Sequence, residues 1–393
     1  MTGILYLVHR LPYPPNKGDK IRSYHLLKHL AKKGPVYLGA FIDDRADLEY
    51  RDELKQWCKD IFIAEIKPSR SKLTSLRGLL TGKALTLPYY QHGGLARWTK
   101  DLFDRGLVDR AVAFSSAMAQ FVPERMPLKL MDMVDVDSDK WAQYATTKAW
   151  PLSWLYRREA KKLGQWENRV ANTFNVTFLV SEAEANLLRA RVPGASDQIH
   201  GLENGVDAAY FSPDHEQVNP YPKGTVPIVY TGAMDYWPNV DAVCWFAKAI
   251  FPRVKAALPD AVFYVVGSQP TQTVQQLSRD SDVTVTGRVP DVRPYLRHAA
   301  CAVAPLRLAR GVQNKVLEAM SMARPVVATP QATEGISAQI GLDLLEASDE
   351  QTFADEVIQV CKGLYPELGR HARERVLQAY DWETNLSRLD AWL

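Results

Sequence analysis

The chain has 393 residues, 46% of them apolar, and a net charge of +3 from 48 basic and 45 acidic side chains. That length fits two or three domains with ordinary buried cores, and the even balance of charge excludes nucleic acid as the main partner. The four cysteines (Cys58, Cys244, Cys301 and Cys361) stand far apart without a C-x-x-C pair, which fits a reduced compartment and excludes a disulfide framework.

The chain opens on a strand pattern at 3–8, too short for the apolar core of a signal peptide. No window reaches the ~20 apolar residues of a membrane span, so the protein reads as cytoplasmic, soluble or peripheral. Further strands are predicted at 36–41, 61–66, 110–114, 129–134 and 176–180, with helical patterns at 21–33 and 152–173 between them. The loop Pro12-Tyr13-Pro14-Pro15-Asn16-Lys17-Gly18-Asp19-Lys20-Ile21-Arg22 joins the first strand to the first helix. Gly18 and Arg22 are its functional candidates, and Asp19 is either a functional residue or the helix cap. The strand at 129–134 runs into Asp135-Val136-Asp137, and hard divalent ions take such carboxylates. Asp135 is a candidate base, and cap-and-turn chemistry is the competing reading. Trp141, Trp150, Trp154 and Tyr156 stand among Arg157, Arg158, Lys161 and Lys162. That mixture suits either a membrane surface or an amphipathic helix packed in its own domain.

The segment 213–224 is polar, rich in proline and without period, and reads as a linker between halves at 1–212 and 225–379. In the second half strands are predicted at 228–231, 261–266, 283–286, 301–304, 326–328 and 344–346, and a helix at 239–257. Strands alternating with helices in both halves imply parallel sheets, with binding loops at the carboxyl ends of the strands facing a common cleft. Gly232 follows the first of these strands and can let backbone approach a phosphate. The stretch Arg310-Gly311-Val312-Gln313-Asn314-Lys315-Val316-Leu317-Glu318 runs from loop into helix. Free N–H groups at Val312, Gln313 and Asn314 would make an anion site, with Arg310 and Lys315 beside it and Glu318 one turn deeper. A capped surface helix with solvated charges is the plainer reading.

This stretch, continued by Ala319-Met320 and Pro325-Val326-Val327-Ala328-Thr329, resembles the signature of glycosyltransferase family four. Glu318 falls on the second glutamate of that family's Glu-x7-Glu motif, which implies contact with the donor ribose, while Arg310 replaces the first. Asn204-Gly205-Val206-Asp207 is similar to the family's entry into the second domain, and Gly287-Arg288-Val289 to the loop that holds the base. Ala233 stands where members carry a diphosphate-binding arginine, so Arg310 and Lys315 are expected to supply the missing charge. Tyr156-Arg157-Arg158-Glu159-Ala160 and Ser181-Glu182-Ala183-Glu184 bring the chain closest to the sugar transferases associated with exosortase (PEP-CTERM) systems.

The resemblance implies an α/β GT-B architecture of two Rossmann-like, doubly wound parallel-sheet domains, with 380–393 crossing back onto the first. It implies a retaining, metal-independent glycosyltransferase of exopolysaccharide biosynthesis. No cofactor is expected beyond a UDP- or GDP-linked sugar donor. The expected acceptor is a saccharide or a polyprenyl-diphosphate-linked glycan, with peripheral contact at the inner membrane. Asp135, Arg310 and Lys315 are the expected catalytic residues. Gly18, Gly232, Arg288, Val289, Gly311, Gln313, Asn314 and Glu318 are expected on the donor, and Asp19 and Arg22 on the acceptor side. The alternatives are a nucleotide-sugar epimerase of the same fold and a non-catalytic nucleotide-sugar or polysaccharide binder. No G-x-G-x-x-G follows a strand, which argues against a nicotinamide enzyme.

Overall fold

The computed structural model describes residues 2–15, 18–42, 45–66, 75, 77–279, 282–309 and 311–393. The chain divides into two compact units, Met1–Glu203 with Leu386–Leu393, and Asn204–Asn385.

The first unit is built on a seven-stranded sheet. Its strands are β1 (Gly3–Val8), β2 (Val36–Ile42), β3 (Asp60–Glu65), β4 (Val108–Phe114), β5 (Leu128–Val134), β6 (Val176–Leu179) and β7 (Ile199–Gly201). They lie in the order β3-β2-β1-β4-β5-β6-β7, and every neighbouring pair is parallel. All six residues of β1 are buried, the mark of a central parallel strand covered on both faces. Strand order reverses between β1 and β4, the switch point where open parallel sheets accept ligands.

The second unit repeats the plan with six strands. These are β8 (Val226–Thr231), β9 (Ala261–Val266), β10 (Val283–Gly287), β11 (Cys301–Ala304), β12 (Val326–Ala328) and β13 (Leu345–Glu346). The order is β10-β9-β8-β11-β12-β13, again parallel throughout, so its switch point lies between β8 and β11. Its core is aromatic at one end, where the ring centroids of Phe246 and Phe263 lie 4.5 Å apart and those of Phe246 and Phe353 5.9 Å apart.

Several expectations shift. β7 escapes the sequence because three residues are too few to show a period. The helix expected at 239–257 begins at Trp237 and contains a π-helical stretch, Phe246–Ile250. Pro252 follows and has no N–H to donate back one turn, so the widened turn absorbs the lost bond. The segment at 213–224 is no free linker, because it packs on the second unit. Tyr221 is 6% exposed and donates to the Tyr295 carbonyl at 2.6 Å, and His298 Nε2 lies 2.7 Å from the Gln217 carbonyl. The change of unit falls instead at Glu203/Asn204. It is sealed where the Val206 N–H donates to the Tyr380 carbonyl at 2.8 Å and where Gly205 lies so close to Trp382 that a Cβ would meet the ring at 2.7 Å. The return to the first unit comes after Asn385, later than the expected 380. There Asp390 binds His29 at 2.8 Å and Lys33 at 2.6 Å.

Candidate functional site

Three neighbouring strands of the second sheet end on glycine at one rim. Gly232 follows β8, Gly267 follows β9 and Gly287 closes β10. The Gly232 N–H donates to the Val266 carbonyl at 3.0 Å, and the Gly267 N–H to the Gly287 carbonyl at 3.2 Å. A Cβ on Gly267 would lie 1.6 Å from the Gly232 carbonyl oxygen, so this position admits only glycine. A Cβ on Gly232 would meet the Asn239 amide at 2.9 Å and the Lys315 ammonium at 3.2 Å.

Lys315 comes from the helix Asn314–Ser321, which buries Val316, Leu317, Ala319 and Met320. The three-residue spacing leaves Lys315 and Glu318 together on another stripe. The Lys315 ammonium donates to the Tyr230 hydroxyl at 2.7 Å and to Asn239 Oδ1 at 2.5 Å, and lies 4.5 Å from the Tyr230 ring centroid. The Tyr230 hydroxyl donates to the same Asn239 oxygen at 2.6 Å, while the Asn239 amide holds the Ala233 carbonyl at 2.8 Å. Tyr230, Asn239 and Lys315 are thus fixed against one another. Lys315 forms no ion pair with a carboxylate among the described residues. Burial pulls its ammonium down to about 7, against the opposing charge of Glu318. Burial likewise pushes Glu318 up to about 7, against Lys315.

The approach to this helix is shaped to match. Gly311 takes a left-handed φ of 68°. Gln313 then enters the helix with its amide donating to the Gly311 carbonyl at 3.0 Å, and no side chain caps the first turn. Asn314 Oδ1 is buried with no hydrogen-bond partner. An uncapped helix start and a tethered lysine that forms no ion pair among the described residues favour an anion at this point, and the Glu318 carboxyl can engage hydroxyls one turn further in. Gly232, Gly311, Gln313, Asn314, Lys315 and Glu318 are therefore placed on the β8 turn and the loop and helix after β11, the two sides of the switch point. Arg310 lies outside the described residues. Arg288 is exposed and Val289 is half-buried against the core, just past Gly287 with its φ of 69°.

The expected residues of the first unit are placed differently. Gly18 begins the helix Gly18–Lys33 and is exposed. Asp19 accepts from Arg10 at 2.7 Å and lies 3.4 Å from His9 Nε2. Burial pushes the Asp19 carboxyl up, but His9 and Arg10 outweigh it and hold it below the usual carboxylate range. Arg22 does not face an acceptor. It is 1% exposed and donates to both Asp132 oxygens at 2.8 and 3.2 Å and to the Leu202 carbonyl at 2.7 Å. Its role is to tie the first helix to β5 and to the chain after β7. Asp135 is not a free base, because Lys140 lies 2.6 Å from its carboxylate and 3.4 Å from that of Asp137. Burial pulls the Lys140 ammonium down, yet the two aspartates outweigh this and raise it above its ordinary value. Among the described residues no group of three or more His, Cys, Asp or Glu is placed to hold a metal ion. Two side-chain-bearing residues at strand ends of the first sheet are left-handed, Ser115 at φ 74° after β4 and Val134 at φ 69° ending β5. Asp132 holds both, its carbonyl accepting from the Ser115 N–H at 2.8 Å and its carboxylate from the Val134 N–H at 3.2 Å.

Sequence reasoning missed Tyr230, Gly267, Lys140 and His9, and placed Asn239 only beside the position where the resembled family carries a lysine. Gly267 ends a strand pattern as Gly232 does, and that signal was available. Tyr230 reads as core in a strand, so no local pattern marks its contact with Asn239. His9 lies parallel to Phe114, with an interplanar angle of 1° and centroids 5.8 Å apart, an adjacency that depends on β1 pairing with β4.

Comparison with known proteins adds to this geometry. The family model described as glycosyl transferases group 1 matches residues 226–362. No curated protein sequence matches the chain. Among solved structures, Anabaena HepE in complex with UDP has a TM-score of 0.67 at 13% identity, covering 99% of both chains. Sucrose-phosphate synthase from Thermosynechococcus elongatus has a TM-score of 0.70 at 16% identity, covering 99% of this chain and 98% of its own. A glycosyltransferase from Rickettsia africae has a TM-score of 0.65 at 13% identity, covering 100% of this chain and 98% of its own. At such identities the structural likeness speaks for fold, and the family model for the second unit. Residues 226–362 form a group 1 glycosyltransferase domain, in a chain with the GT-B fold of two parallel α/β units.

Proposed function

We propose that the protein is a glycosyltransferase that takes a sugar from a nucleoside-diphosphate donor, UDP- or GDP-linked, and passes it to a saccharide or polyprenyl-diphosphate-linked acceptor. The observation that carries this reading is Lys315, a cation held by Tyr230 and Asn239 beside the Gly232 turn, without a carboxylate partner among the described residues. Sugar transfer leaves negative charge on the departing diphosphate, and a fixed cation with helix N–H groups stabilises that charge as it develops. Glu318, one turn on, is suited to the vicinal hydroxyls of a ribose. Anabaena HepE is described in complexes with UDP and with UDP-glucose, which supports a uridine donor here. The likeness to exosortase-associated transferases supports a role in exopolysaccharide synthesis. Retention of configuration and independence from metal belong to the same reading, with Lys315 as the diphosphate's cation.

The test is thermal unfolding with UDP, GDP and ADP, each with and without magnesium. A ligand of the native state raises the midpoint. The reading requires a magnesium-independent rise with UDP or GDP that Glu318→Ala abolishes. No rise with any of the three would end it, and a rise only with magnesium would overturn the metal-independent part.

A further inference from the structure

The helices Asp137–Thr146 and Leu152–Thr173 form a hairpin, and every residue from 146 to 152 is exposed. Trp150 is 81% exposed, Trp154 54%, Tyr144 51% and Leu152 48%, a concentration of apolar surface that water disfavours. Trp141 and Tyr156 are not part of it. Their rings meet edge to face at 5.0 Å, and Trp141 packs on Ala84, Leu87, Ala117 and Leu163. The exposed charge along this stretch of chain has one sign. Lys148, Arg157 and Lys161 are exposed, and Glu159 is the only carboxylate between positions 140 and 162. Glu159 is 2% exposed and turned inward, accepting from the Leu85 and Thr86 N–H groups at 2.6 and 3.0 Å. It therefore cancels none of the surface charge.

Tryptophan rings ringed by long basic side chains match the boundary between headgroups and acyl chains, and anionic headgroups match the charge. We propose that this tip seats the first unit on an anionic lipid surface, with Trp150, Leu152 and Trp154 entering the interface and Lys148, Arg157 and Lys161 meeting the headgroups. No helix among the described residues is long and apolar enough to cross a membrane, so the contact is one of attachment. The proposal goes beyond sugar transfer and does not depend on the donor site.

The experiment is co-sedimentation of the full chain with vesicles of phosphatidylcholine alone or mixed with phosphatidylglycerol. The wild type is expected to bind the mixed vesicles, weakly or not at all the neutral ones, and less as salt rises. The pair Trp150→Ser/Trp154→Ser should lower partitioning at least about tenfold. Each of Lys148→Gln, Arg157→Gln and Lys161→Gln should lower it about fivefold. Unfolding midpoints, and their response to UDP, should stay at the wild-type values, which separates loss of docking from loss of fold. Failure of the wild type to bind, equal binding by the variants, or equal binding to neutral vesicles would overturn the proposal. So would self-association of the wild type that the tryptophan pair abolishes, because the tip would then be covered by a second copy.

Discussion

Lys315→Met keeps the apolar stem beside Tyr230 and removes only the cation. A hydrogen bond to a charged group contributes about 1.5–3 kcal/mol, so UDP should bind about 10- to 150-fold more weakly to the variant. Uridine carries no diphosphate and should bind both proteins alike. The pH dependence follows from burial, which pulls Lys315 to about 7 in the empty protein. A bound diphosphate raises it again, so binding requires a protonated lysine that becomes scarcer above that value. Wild-type affinity should therefore fall toward about tenfold per pH unit above neutrality, with a proton taken up on binding. The methionine variant should lack this component. Stability responds in the opposite sense. The unfolded chain protonates Lys315 more readily, so the lysine's destabilising effect grows as pH falls from 10.5 to about 7 and persists below. The variant should accordingly gain stability near neutrality and gain little near pH 10.5. Calorimetric titration with UDP and uridine, in buffers of different ionisation enthalpy, measures affinity and proton uptake together. Unchanged UDP affinity in the variant, or an equal loss for uridine, would refute the assignment of Lys315 to the diphosphate.

Asn239→Ala removes the acceptor shared by Lys315 and Tyr230 and the donor to Ala233. It should cost about 1–3 kcal/mol in urea unfolding and weaken UDP, measured by the same titration. Gly267→Ala places a methyl group within bonding distance of the Gly232 carbonyl, so its unfolding midpoint should fall and its UDP-induced rise disappear. Arg22→Ala leaves the Asp132 carboxyl buried without its partner, and should cost about 3–5 kcal/mol in urea unfolding. The double change Arg22→Met/Asp132→Leu should recover most of that loss, and if it does not, the pair is not the source of the effect.

The alternation of short apolar runs with helical periods was enough to predict two parallel α/β units, because a strand covered on both faces must be apolar at every position. β1 and β11 show this continuous burial. The stretch from Gly311 to Glu318 was also legible, since a glycine before a helix with a cation and an acid one turn apart is a local pattern. The partners of Lys315 were not. Tyr230 lies next to the end of a strand 85 positions earlier, and Asn239 in the first turn of a helix 76 positions earlier. Only the pairing of β8 with β11 brings them to the same rim. The same holds in the first unit, where Arg22 and Asp135 looked free. Arg22 meets Asp132 across 110 positions because the first helix crosses toward β5, and Asp135 meets Lys140 because the chain turns into a helix after a left-handed Val134. Sequence alone determined the alternation of strands and helices and which ionisable residues stand beside the glycine before the helix Asn314–Ser321. Tertiary structure decided which charges are neutralised within the fold and which have no ion-pair partner among the described residues, because burial and counter-ions come from segments distant along the chain.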